Sequence, residues 1–89
     1  MFYFVYILIS LINGKFYIGS TTNLERRVNQ HNRGENVSTK NRRPFNLIFY
    51  EAYLNKTDAL RRERYFKTTK GKTVIRQMLK NYLEESKSN

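Results

Sequence analysis

The chain has 89 residues, 39% apolar and 27% charged, enough for one globular domain and no second of ordinary size. With no Cys and one His it excludes a disulfide framework and a Cys/His zinc centre, so packing must supply stability in a size range where cores are marginal. Seventeen Lys+Arg against seven Asp+Glu leave +10 at pH 7, which makes nucleic acid the first partner to consider and an anionic membrane surface the second.

Met1 to Ile12 is the one long apolar stretch. It is broken by Ser10 and falls short of the roughly 18–20 residues that span a bilayer. It lacks the leading Lys or Arg and the small-residue cleavage site of a signal peptide, so no membrane association is expected and a cytoplasmic location is the default. Phe2 to Ser10 is dense in aromatic and β-branched residues, and Lys15 to Thr21 repeats that character after Asn13-Gly14. The spacing predicts a β-hairpin, with the first strand apolar on both faces and therefore central. Asn23 is expected to cap a helix through about Asn32, with Leu24 and Val28 inward and Gly34 ending it. A polar loop from Gly34 to Pro44 holds Lys40, Arg42 and Arg43. Phe45 to Tyr53 reads as a third strand. Thr57 is expected to cap a second helix running to about Thr69, with Asp58 in its first turn and Gly71 as punctuation. Val74, Ile75, Met78, Leu79, Tyr82 and Leu83 then form the stripe of a third helix, and residues 86–89 are expected to be a frayed tail. The order β-β-α-β-α-α implies an α/β (α+β) domain over residues 1–85, with a small, mostly antiparallel three-stranded sheet flanked by helices.

Three placements point to chemistry. An even-numbered hairpin loop puts Tyr6, Tyr17 and Gly19 on one sheet face, where Gly19 leaves a gap for a ligand or backbone to approach. The alternative is a pair of sheet tyrosines packed under a helix. Leu24, Arg27, Val28 and His31 share one face of the first helix. Arg27 there can fork onto a phosphate and His31 can move a proton, unless both lie at the stripe's edge with the Arg head in water. Arg26 is expected to face solvent. Glu63 interrupts the apolar face Ala59, Leu60, Phe66 of the second helix. It is the best-placed hard oxygen ligand for Mg²⁺, or else an i,i+4 salt-bridge partner of Lys67, or simply neutralised by Arg61, Arg62 and Arg64. No phosphate-binding Gly loop is present, a Ser20–His31 nucleophile lacks an orienting acid, and the acids are too few for a two-metal centre.

These features coincide in Phe4-Val5-Tyr6-Ile7-Leu8, Phe16-Tyr17-Ile18-Gly19-Ser20-Thr21, the segment Asn23 to Asn32, Arg43 to Glu51, and Ala59 to Lys67. In that order and spacing, over about residues 2–80, the sequence resembles the GIY-YIG endonuclease superfamily. It is most similar to the small stand-alone bacterial branch, which is akin to the N-terminal nuclease domain of the bacterial excision-repair nuclease. Phe4 stands where the first motif usually begins with Gly, and the Asn that some members carry after the Glu has no clear counterpart in this sequence. The resemblance implies a metal-dependent endonuclease acting on DNA, with RNA not excluded, in repair or recombination. It implies paired tyrosines at Tyr6 and Tyr17, a phosphate clamp at Arg27, proton transfer assisted by His31, and Mg²⁺ (or Mn²⁺) on Glu63. Lys40, Arg42, Arg43 and Lys67 would contact the nucleic-acid backbone, and a protein partner could direct targeting. Either tyrosine could be the base: its free pKa is about 10, so phenolate must be favoured locally, which the +10 charge is expected to ease. A catalytically silent basic binding module, or a structural ribonucleoprotein component, would need no convergence of these residues.

Overall fold

The computed structural model describes residues 1–87. Strands β1 (Tyr3–Ser10), β2 (Phe16–Thr21) and β3 (Phe45–Tyr53) form one sheet of order β2-β1-β3, antiparallel throughout. The doubly apolar β1 is central, as its sequence predicts, with Val5 to Leu8 fully buried. The hairpin closes through Leu11–Gly14: Ser10 and Gly14 donate N–H groups to the carbonyls of Lys15 and Ser10. Gly14 alone in the turn takes a positive φ, +70°. The even-numbered loop pairs Tyr6 with Gly19 and Leu8 with Tyr17, so these four share a face, as parity requires.

The other edge of β1 departs from simple alternation. Ile7 faces Phe49 but Leu8 faces Leu47, so Ile48 is an extra residue in β3. This bulge shifts the register by one residue and puts Phe45, opposite Ser10, on the Tyr6 side of the sheet. That side is covered by α1 (Leu24–Asn32), where Tyr6, Leu8 and Phe45 pack with Tyr17, Leu24 and Val28. The opposite side carries the larger core. There Val5, Ile7 and Ile18 meet Ala59, Phe66 and Ile75 from α2 (Lys56–Phe66) and α3 (Thr69–Met78).

The helix boundaries correct five expectations. Asn55, not Thr57, caps α2: its side-chain oxygen accepts the N–H groups of Thr57 and Asp58, which places Thr57 inside the first turn. Helix α2 stops at Phe66, because Thr68 caps α3 through the Gly71 N–H at 2.9 Å. Gly71 therefore lies within α3, where it permits close helix approach: a Cβ there would sit 2.0 Å from the Tyr65 carbonyl oxygen. The single third helix divides at Leu79 into α3 and α4 (Lys80–Lys87). Ser86 and Lys87, expected in a frayed tail, belong to α4, and residues 88–89 lie outside the described residues. Among the described residues no helix is long and apolar enough to cross a membrane.

Candidate active site

Three buried polar side chains lie on the α1 side of the sheet: Ser10, His31 and Thr39. The α1 phase that puts Leu24 and Val28 against the sheet carries His31 fully into it, so His31 is not at the edge of the stripe. Its Nε2 lies 3.1 Å from the Tyr6 hydroxyl and its Nδ1 2.8 Å from Thr39 Oγ1. Thr39 has the Asn36 carbonyl 3.4 Å away for its own proton, which leaves an oxygen lone pair for Nδ1–H. In that tautomer the bare Nε2 faces Tyr6 as an acceptor, and a directed chain runs Tyr6 O–H to His31 to Thr39.

The electrostatics keep this chain neutral at rest. Burial first, then the charges of Arg27 and Arg42, hold His31 below the ordinary imidazole pKa. Burial also pushes the Tyr6 hydroxyl well above the usual tyrosine value, and the Tyr17 and Glu63 charges add to it. Arg27 opposes that shift by charge and by hydrogen bonding. The expectation that a +10 chain eases phenolate formation is thus corrected for Tyr6: desolvation at the site outweighs net charge. His31 Nε2 lies where it can accept the Tyr6 proton.

The remaining candidates surround this pair. The Tyr17 ring is 4.7 Å from the His31 ring and 6.4 Å from Tyr6, between centroids. Arg27 is half-buried, forms no ion pair among the described residues, and lines a cavity at the outer edge of α1. The gap expected at Gly19 is filled by Tyr6 itself: a Cβ on Gly19 would lie 2.5 Å from the Tyr6 hydroxyl oxygen. The hydroxyl therefore reaches the β2 backbone at the point where the next residue, Ser20, projects to the other face.

Glu63 sits across that edge on α2 rather than within the tyrosine cluster. Its Oε1 accepts the Ser20 hydroxyl at 2.9 Å, and its Oε2 pairs with Lys67 Nζ at 2.9 Å. The carboxylate is 15% exposed and turned to the hairpin, and its charge is felt at Tyr6 without direct contact. Ser20 thus partners the carboxylate, not His31. Arg61 and Arg62 do not neutralise Glu63; they pair with Asp58 and Glu51. Arg62 also stacks 4.2 Å over the Phe66 ring.

The basic loop is more committed than its composition suggests. Arg42 donates to the Ser38 carbonyl at 2.9 Å, and Arg43 donates to the Lys40 carbonyl at 3.0 Å with its guanidinium lying over Gly34. Lys40 remains exposed, and Lys67 serves Glu63. Thr39 and Ser20 are contacts of the candidate residues that residue spacing does not single out, because neither shares a helix or strand face with its partner.

Among the described residues no group of three or more His, Cys, Asp or Glu side chains could hold a metal. The oxygen set at Glu63, one carboxylate with a neighbouring hydroxyl, fits a hard cation such as Mg²⁺ that keeps most of its waters.

Comparison with known proteins identifies the family and agrees with the fold. The family model described as the GIY-YIG catalytic domain matches residues 2–80. UPF0213 proteins of Staphylococcus aureus strains Mu50 and COL are 42% identical over 67 residues, covering 74% of this chain and 80% of theirs. The solution NMR structure of a UPF0213 protein from Bacillus halodurans is 32% identical, with a TM-score of 0.55 over 88% of this chain and 85% of that one. The protein belongs to the GIY-YIG nuclease family, with the small UPF0213 proteins among its relatives.

Proposed function

We propose that the protein is a divalent-metal-dependent endonuclease that hydrolyses DNA phosphodiester bonds in the cytoplasm, in repair or recombination. The observation that carries this reading is the buried Tyr6–His31–Thr39 chain with Arg27 beside it and Glu63 across Gly19. In-line attack on a phosphodiester needs water relieved of a proton, charge on the non-bridging oxygens and relief of the leaving alkoxide. Tyr6 takes the proton of water as it gives its own to His31 Nε2, so that no free phenolate has to persist in a buried site. Tyr6 rather than Tyr17 is the base, because Tyr6 alone has the hydrogen bond to His31. Tyr17 packs the imidazole in place. Arg27, unpaired with any acid among the described residues, supplies the guanidinium for the phosphate oxygens. Glu63 would hold Mg²⁺ (or Mn²⁺), which when bound supplies Lewis-acid stabilisation of the leaving oxygen. Lys40 and the neighbouring Arg42 and Arg43 provide positive charge along the substrate backbone.

One observation favours a second reading, a catalytically silent basic nucleic-acid-binding module: Lys67 already occupies one oxygen of Glu63. Cleavage of branched, flapped, single-stranded and duplex DNA across a Mg²⁺ titration separates the two. The nuclease gives Mg²⁺-dependent cleavage that Glu63→Ala reduces more than about 100-fold while DNA binding persists. Lys67→Ala should lower the Mg²⁺ concentration for half-maximal rate, since the ammonium competes for the carboxylate. Absence of cleavage with every substrate, alongside salt-sensitive binding, would leave the binding module.

A further inference from the structure

The cavity beside Arg27 is not used by the proton chain. It has a volume of about 370 Å³ and is lined by Arg27, Gln30, Glu35, Asn36 and Val37. Arg27 and Gln30 are one turn apart on α1 and share an edge of the helix. The facing wall is fixed by backbone: Gly34 turns the chain at φ +77°, and the Glu35 N–H donates to the Gln30 carbonyl at 3.0 Å.

The polar groups in this wall have a defined sense. Asn36 Oδ1 accepts the Ser38 N–H at 3.0 Å and the Ser38 hydroxyl at 2.7 Å. The uncommitted end of that amide is its nitrogen, a donor only. Gln30 has no side-chain partner among the described residues, so its amide is free to match either a donor or an acceptor. The Glu35 carboxylate is engaged by Arg33. Val37, 90% exposed, adds an apolar surface that no intramolecular contact explains.

We propose that this cavity is a subsite for the nucleobase adjoining the phosphate held by Arg27, read by Asn36 and Gln30 and contacted by Val37. The assignment rests on Arg27 being the phosphate contact of the proposed nuclease. A guanidinium on a phosphate carries no sequence information, but it sets how far the attached base can reach. Amide side chains are among the groups that read base edges, and small apolar side chains contact the thymine methyl. With Asn36 presenting donors, the favoured base offers adjacent acceptors, such as guanine on its N7 and O6 edge. Adenine, with a donor beside N7, is disfavoured.

The test is the base profile around the cut in a randomised DNA library digested by the wild-type protein, Asn36→Asp and Gln30→Glu. Asn36→Asp keeps the oxygen that Ser38 holds and replaces the donor by an acceptor. It should raise the adenine-to-guanine ratio at one position beside the cut by about tenfold, the scale of one good base contact. Gln30→Glu should move the same position in the same direction, and it carries the test alone if melting shows that Asn36→Asp does not fold. Identical profiles for the folded variants and the wild type would overturn the subsite. If the wild-type protein cleaves nothing, the nuclease reading fails, and competition binding of dA, dC, dG and dT oligonucleotides at low salt decides the subsite. A ranking that shifts toward adenine in the variants upholds it, and an unchanged ranking overturns it.

Discussion

On one face of β1, Val5 and Ile7 meet Phe66 and Ile75, with only apolar side chains fully buried among them; on the other, Tyr6 meets a histidine that is buried as completely. Among the described residues, all three buried polar side chains belong to the second face. The α2/α3 face obtains its stability from area removed from water, at about 1.5–3 kcal/mol for a side chain the size of Phe66. The α1 face is held by hydrogen bonds that contribute about 1 kcal/mol each when paired, yet cost about 1–3 kcal/mol when one partner is left buried alone. One strand thus serves two purposes by alternation: stability on its odd-numbered side, and a polar site that is costly to leave half made on its even-numbered side.

Tyr6→Phe should break that division most visibly. It removes the proton donor while keeping the ring, so cleavage should fall by about 10²–10⁴-fold, the usual contribution of a general base, while the protein stays folded. Wild-type rates in Tyr6→Phe would place the base elsewhere. Phe66→Ala is the complementary change on the other face. It should cost about 3–5 kcal/mol in denaturant unfolding, and the remaining folded fraction should cleave at the wild-type rate per folded molecule. Thr39→Val and Thr39→Ser sharpen the comparison within the polar face. The valine variant loses the partner of His31 Nδ1 and should lower kcat by about tenfold or more, whereas serine should restore most of it; equal rates for the two would remove Thr39 from the chain.

The smallest effect is on stability against pH. His31 is depressed below the ordinary imidazole value by burial and by Arg27 and Arg42. The unfolded chain therefore takes up a proton near pH 6.5 that the folded chain refuses, and folding stability should fall as pH drops below about 6.5. The loss continues until the folded-state pKa is passed, and His31→Gln should flatten this limb of the stability curve. The other titratable or charged groups near the imidazole are Tyr6, Tyr17, Arg27 and Arg42, so the acid-limb difference between the two proteins isolates His31.

Much of the architecture was legible from local pattern. The hairpin, the central β1, the shared face of Tyr6, Tyr17 and Gly19, and the phase of Leu24, Arg27, Val28 and His31 follow from periods of two and 3.6 residues, which depend only on backbone geometry. The helix boundaries at Asn55, Thr68 and Leu79 were less legible, because Asn, Thr and Gly each suit several positions around a helix end, and packing against neighbouring elements selects among them. Gly71 shows the same limit: it reads as a stop, yet serves the close approach of α3 to Tyr65.

The site divides along the same line. The sequence by itself determined which residue types could do the chemistry and which of them share a helix or strand face, since alternation and helical phase are properties of the backbone alone. Only the tertiary structure decided that Thr39 meets His31, that the β3 bulge brings Phe45 beneath the imidazole, and that Ser20 meets Glu63 across the sheet edge; the Glu63–Lys67 pair was legible from its i,i+4 spacing. It also decided that Tyr6 stays protonated at rest despite the +10 charge of the chain, because net charge is a sum over the sequence whereas desolvation acts at one atom and depends on what is packed around it.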